Sequence, residues 1–304
     1  MGTLRVTQPI LVDRVLRNIQ DQQRRILELQ DQLATGRRIN APSDDPIDTR
    51  RAINTRAFIA KNEQYLRNIQ QAAPRLNNTE TLITNIQDRL ARARELTLQG
   101  ANGSNSQDSL NAIAAEIDQI LEGVLSTANT EFESGFVFSG TRTRTQPFVE
   151  TRDVNGRITA VAYEGNDEAI NVAIQDGVEV KVNESGSEVF QSNQDIFQTL
   201  IDIRDNLLAG DRAALSNTRL LEIDAARAQL SEAVARVGAV QNRLTSGETD
   251  LEDIQVQLQE LLSNTVDADL AEVIIQLNAQ ENAFQAALSA GARVIQPSLL
   301  DFVR

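Results

Sequence analysis

The two ends of this chain carry apolar residues at alternating spacings of three and four, on stripes too narrow to close a globular core. At positions 12, 15, 19, 22, 26, 29 and 33 the first segment reads Val, Val, Ile, Gln, Ile, Leu, Leu. At the other end Leu270, Val273, Leu277, Gln280, Phe284, Ala287, Gly291, Val294 and Ser298 keep the same period. This is a coiled-coil seam, and each copy of it carries a glutamine in its middle. Two helices of this kind satisfy each other, so the chain ends are predicted to pair. An isolated pair of such seams offsets too little of the ~1–2 kcal/mol of backbone entropy lost per residue. Residues 1–40 and 270–304 are therefore expected to be mobile in a free monomer and helical in an assembly.

Between the ends the period changes twice. Gly36 is a plausible helix stop, Pro42 and Pro46 forbid continuation, and a second helix is predicted from Asp44–Pro46 with an aspartate cap. Its seam is Leu66, Ile69, Ala73, Leu76, Thr79, Ile83, Ile86, Leu90 and Ala93, with a kink or break expected at Pro74. A turn at 100–106 leads to a third helix with Leu110, Ile113, Ile117, Ile120, Val124 and Ala128 on one side. After about Gly135 the period becomes two. Phe148-Val149, Ile158 to Tyr163, Ile170 to Ile174 and Val178 to Val182 read as strands, with hairpin turns at 155–156, 164–166 and 176–177. Helices are predicted again at 194–208, 212–245 and 249–295.

The fold class is mainly α: an elongated antiparallel helical bundle or coiled-coil rod built from both chain ends, with a small β-rich insertion domain. The divisions are 1–44, the N-terminal helix; 45–136, the first part of the rod; 137–190, the β-rich outer domain; 191–268, the second part of the rod; and 269–304, the C-terminal helix. The insertion is expected to be an outward excursion, replaceable by a short loop.

Composition removes most chemistry. The chain has no cysteine and no histidine, which excludes disulfides, thiol nucleophiles, zinc fingers and every imidazole-based catalytic unit. A formal charge of −14 opposes nucleic-acid binding, although the first hundred residues are mildly basic. Their arginines alternate with acids and read as a solvated or subunit-facing surface. No apolar run reaches the ~18–20 residues of a membrane-spanning helix, and the first thirty residues lack a secretory signal. The chain is expected to be cytosolic or exported by a route that reads something else. Asp44 and Asp45 read as helix-capping residues rather than an acid/base pair. Asp267, Asp269 and Glu272 read as a solvated acidic face without the glycine turn of a Ca²⁺ loop. No catalytic, cofactor-binding or metal-binding residues are assigned, and no cofactor is expected.

Leu33-Ala34-Thr35-Gly36-Arg37-Arg38-Ile39-Asn40, followed by Asp44-Asp45-Pro46, resembles the N-terminal signature of the flagellin superfamily. The Asp-Asp-Pro form is similar to its hook–filament junction branch, where flagellins usually carry Asp-Asp-Ala and a glycine. Ala128-Asn129-Thr130, Gly135 to Gly140, Pro147-Phe148, Gly238 to Leu244, Asp267 to Glu272 and the ending Pro297-Ser-Leu-Leu-Asp-Phe302 resemble the same branch in the same order. The resemblance implies a non-enzymatic structural subunit of the bacterial flagellum, secreted through the flagellar export apparatus without a cleaved signal and placed outside the cell. Its implied partners are the other hook–filament junction protein, flagellin, copies of itself and a cytoplasmic export chaperone.

Arg38, Ile39, Asn40, Asp44, Asp45 and Pro46 become the assembly and capping motif. Val12, Val15, Ile19, Leu270, Val273, Leu277, Phe284, Val294, Leu299, Leu300 and Phe302 become the terminal seam and chaperone contact. Flagellin itself is the alternative, followed by another helical-rod assembly protein of a phage tail or secretion needle. An enzyme using carboxylates of the β insertion, Glu164 or Asp167, is the remaining reading.

Overall fold

The computed structural model describes residues 8–295. Its contacts fall into two units, residues 1–61 with 254–304 and residues 62–253. Helix α1 spans Gln8–Thr35, α2 Pro46–Ala101 and α3 Gln107–Ala128. Six short strands follow: β1 (Glu131–Phe132), β2 (Gly135–Phe136), β3 (Phe148–Arg152), β4 (Ile158–Tyr163), β5 (Asn171–Gln175) and β6 (Val178–Lys181). Then come α4 (Gly186–Phe190), α5 (Ile196–Ala209), α6 (Arg212–Ala214), a π-turn at Leu215–Arg219, α7 (Leu220–Val266) and α8 (Leu270–Ile295). Mainly helical with a small β-rich middle, this is the predicted fold class.

In the second unit α2 and α7 run antiparallel. Asn62 Nδ2 donates to the Leu251 carbonyl at 2.7 Å, Gln241 Nε2 to Asn77 Oδ1 at 2.9 Å, and Arg94 holds Asp224 at 2.6 Å. Partner numbers fall on α7 as they rise on α2. The apolar faces of Ile83, Ile86 and Leu90 on α2, Ile117 and Val124 on α3, Leu200 and Ile203 on α5, and Ile223 and Leu230 on α7 are fully buried together. Fully buried aliphatic side chains contribute roughly 1.5–3 kcal/mol each relative to exposure, before chain entropy is counted. This unit makes its own core.

α2 passes through Pro74 as one helix, without the break the sequence allowed for. Pro74 sits on the exposed side, between buried Ile69, Ala72 and Leu76. The hydrogen bond that proline removes therefore faces water, and packing holds the helix on either side. α7 likewise runs unbroken through the predicted stop near 245–249, because Leu244 and Leu251 bury one continuous face across Gly247. The break falls instead at 267–269, so the predicted helix 249–295 is the end of α7 plus α8.

The strands form three separate two-stranded antiparallel pairs, β1–β2, β3–β4 and β5–β6. Phe148 lies opposite Tyr163 and Asn171 opposite Lys181, and each of these two hairpins has one irregular step. Gly156 and Gly177 turn them with φ of 81° and 70°, where a side chain would be strained. The stretch 164–166 is a linker between hairpins rather than a third hairpin turn. β1–β2 and α4 were not foreseen; two-residue strands and a single helical turn leave no periodic signal.

The β segment is not a detachable excursion. Phe148 on β3 packs with ring centroids 5.0 Å from Phe190 on α4 and 4.9 Å from Phe197 on α5. Buried Arg204 of α5 donates to the Ile158 carbonyl of β4 at 2.7 Å and pairs with Asp118 of α3 at 3.0 Å. The Tyr163 hydroxyl shares its one proton between the carbonyls of Phe138 and Asn166, at 3.0 and 2.9 Å. Strands and helices thus share one core, and a loop replacing 137–190 would strip Phe197 of its packing. Phe148→Ala should lower stability by about 3–5 kcal/mol through the cavity it leaves. A urea titration of the full chain checks this; an unchanged midpoint would mean the ring cluster is not part of the cooperative core.

Candidate assembly site

The first unit contains both chain ends and the loop 36–45 that joins α1 to α2. Gly36, at φ 68°, ends α1 in the left-handed conformation, and its N–H donates to the Gln32 carbonyl at 2.8 Å. The chain then runs beside the 267–269 turn between α7 and α8, forming an antiparallel bridge between Arg37 and Asp267. Arg38 N donates to the Val266 carbonyl at 2.8 Å, and Ala268 N donates to the Gly36 carbonyl at 3.0 Å.

Arg38 also spans two helix ends with its side chain. Nη2 donates to the Thr265 carbonyl in the last turn of α7 and to Asp48 Oδ2 in the first turn of α2, each at 2.7 Å. Asp45 lies 3.5 Å from Nη1. A cation at a helix C-terminus and a carboxylate at an N-terminus each complement the helix dipole. The hydrogen bond with Asp48 raises the guanidinium pKa further above its ordinary value.

The two aspartates divide the work. Asp45 Oδ1 accepts the N–H groups of Ile47 and Asp48, each at 3.0 Å, and so caps α2 just before Pro46. Asp44 Oδ2 accepts those of Ala41 at 2.8 Å and Asn40 at 3.0 Å, folding the loop on itself. Ile39 is half-buried beside them and its N–H points at Val266 O, 3.4 Å away. The acidic cluster read as a solvated face resolves into local bonds. Asp269 Oδ1 accepts the N–H groups of Ala271 and Glu272 at the start of α8, and Asp267 accepts from Ser263 Oγ at 2.6 Å.

α1 and α8 lie against each other, and Gly291 marks their close approach. A Cβ at Gly291 would stand 3.0 Å from Val15 Cγ1 and 3.6 Å from Ile19 Cδ1. Val12, Val15 and Ile19 are half-buried, as are Leu277 and Phe284, and Val273 is buried. Leu270 does not join them; it is 46% exposed in the first turn of α8. Leu33 also falls outside the seam, because the α1 stripe takes the three-residue step from Leu29 to Gln32. The side chain of Val294, and Leu299, Leu300 and Phe302 altogether, lie outside the described residues.

Sequence reasoning missed Asp48, Thr265 and Val266. Asp48 was legible as a first-turn acid. The other two act through backbone carbonyls, which every residue possesses, and their partner is 227 positions from Thr265.

Unit one is poor in core. Among the described residues its fully buried apolar side chains are Ala52, Val266 and Val273, while all exposed large apolar side chains except Leu98, Val149, Val154 and Leu221 belong to it. Ile53, Phe58, Val256 and Ile275 are each more than half exposed. No described helix is long and apolar enough to cross a membrane.

The pH dependence follows from the two aspartates. The N–H groups of Ala41 and Asn40 hold Asp44 below its ordinary pKa, and those of Asp48 and Ile47 do the same for Asp45. The unfolded chain therefore takes up protons first, and the loop's stability is present above the unfolded pKa near 4 and lost as pH falls through the lower folded values. Amide exchange of residues 40–48 should accelerate over that interval once corrected for intrinsic rates. A chain with Asp44→Asn and Asp45→Asn should lose that pH dependence; retaining it would assign the effect to other groups.

Known proteins match at both chain ends. The family model for the bacterial flagellin N-terminal helical region matches residues 10–143, and that for the C-terminal helical region matches 220–303. Flagellar hook-associated protein 3 of Escherichia coli strain K12 is 24% identical over 95% of this chain and 84% of its own length. A flagellin of Xenorhabdus nematophila is 35% identical, but over 36% of each chain. The crystal structure of Bacillus cereus FlgL superposes with a TM-score of 0.58 at 27% identity, covering 69% of this chain and 99% of that one.

Proposed function

This chain belongs to the flagellin family, and we propose that within it the chain is the subunit that joins the flagellar hook to the flagellin filament. The observation that carries the proposal is the first unit, which among the described residues carries most of the exposed large apolar side chains and keeps few as its own core. Such a surface is completed by neighbours. A hook-associated relative aligned over nearly the whole chain, where the flagellin match covers about a third, supports the junction over the filament body.

The role is structural rather than catalytic. The chain leaves the cell unfolded through the flagellar export apparatus and assembles outside it. Its partners are the other junction protein on the hook side, flagellin on the filament side and further copies of itself. The absence of cysteine prevents crosslinking on the way. A strain lacking the gene should carry bare hooks and release unpolymerised flagellin, and the wild-type gene should restore filaments. Missing hooks or intact filaments would defeat the proposal.

Before export, a small helical chaperone in the cytoplasm covers the C-terminal stripe. Val273, Leu277 and Phe284 supply anchors at the spacings a helix-in-groove complex reads. Phe284 is the aromatic among them. Phe284→Ala should weaken the chaperone complex by about 2–4 kcal/mol, measured by calorimetry with the purified partner. An unchanged affinity would place the contact elsewhere on the chain.

A further inference from the structure

The loop 36–45 separates two hollows of opposite charge. On one side a groove of about 650 Å³ is lined by Glu28, Asp31, Gln32, Asp44 and Asp45 among others. Among the described residues its one cation, Arg38, is already engaged by Asp48 and the Thr265 carbonyl. On the other side a hollow of about 200 Å³ is lined by Arg37 and Arg56, with Pro42, Ala52, Ile53 and Val266 as its apolar walls and no acid among the described residues. Ile39, Asn40 and Ala41 line both. The same two arginines wall an adjoining hollow whose acid, Asp267, is held by Ser263.

Among the described residues neither Arg37 nor Arg56 has a carboxylate partner, and neither Glu28 nor Asp31 has a cation. All four side chains are exposed. We infer that these two sides are the halves of one contact between successive copies of this chain: Arg37 and Arg56 of one copy against Glu28 and Asp31 of the next, with Ile53 buried between them. The inference rests on the assembly role proposed above and names the surface that serves it. A second copy is the occupant because the chain carries the complement of each hollow on the other side of the same loop. Two different patches meeting head to tail leave one of each free at the ends, so the contact propagates into a ring or a helix rather than closing as a two-fold dimer. Exposed ion pairs add little attraction one at a time. Their arrangement acts mainly on register and partner choice, because a like-charge meeting is strongly disfavoured.

The test is a charge exchange in the full chain, expressed in the strain that lacks it. Arg37→Glu with Arg56→Glu should reduce filament-bearing hooks at least about tenfold, and Glu28→Arg with Asp31→Arg should do the same. All four changes in one chain should restore attachment, because every copy then meets its neighbour with both signs exchanged. No loss from either pair, or a loss that the fourfold exchange does not repair, overturns the inference. Secreted amounts and circular dichroism of each variant separate failure to fold from failure to dock.

If the unchanged gene fails to restore filaments, the junction role falls instead. The contact is then read by itself, with Gln32→Cys and Ile53→Cys placed in the otherwise cysteine-free chain. Oxidation of the concentrated protein should give a ladder of linked copies, and either cysteine alone should give no link across this contact, because its thiol then faces a residue without one. Absence of the ladder in the double variant, in vitro or in assembled flagella, or a product containing flagellin in its place, overturns the inference.

Discussion

The antiparallel bridge at Arg37 and Asp267 is the interaction on which the first unit depends. It joins the two connecting turns, and therefore fixes where α1 leaves α2 and where α8 leaves α7 within that unit. Backbone groups at 36–39 and 266–268 make the contact, so it tolerates many side chains but few changes of backbone shape. Arg38 adds the side-chain part, holding a helix C-terminus and a helix N-terminus at once. Without this junction, α1 and α8 would be two amphipathic helices with little beyond the approach of Val15 to Gly291 to set their register. Among the described residues their own stripe buries only Val273, apart from the glycine at 291.

The second unit is built on the opposite principle. Its helices bury aliphatic residues at every turn, its four central phenylalanines are fully enclosed, and its cross-links are polar contacts laid over a packed core. Buried Gln229 illustrates the style. Its amide oxygen accepts the N–H groups of Asn193 and Gln194, and its nitrogen donates to the carbonyls of Val189 and Gln194. One unit is satisfied by its own residues, the other by what surrounds it, and α2 and α7 belong to both.

Periodicity made the long helices legible because each buries a face that repeats every three or four residues: Ile83, Ile86 and Leu90 were readable in α2 without any structure. The same reading failed where a local rule met a stronger neighbour. Pro74 and Gly247 both look like interruptions, yet each lies in a helix whose flanking positions are buried. Leu270 keeps the period of its stripe but sits in the first turn of α8, where it stays exposed. The candidate site was half legible. Gly36, Arg38, Asp44 and Asp45 stand out by type and spacing, whereas the partners that give Arg38 its role are carbonyls at the far end of the chain and carry no side-chain signature.

That distance orders events in time. Arg38 and Thr265 are 227 positions apart, and contacts of such separation are costly to close and form late. The second unit closes within residues 62–253, so it can fold while one end of the polypeptide is still confined. The first unit needs both ends together, and whichever emerges first must wait for the other. For a chain threaded from one end, the sticky part of the molecule becomes shaped only after nearly all of it has been delivered.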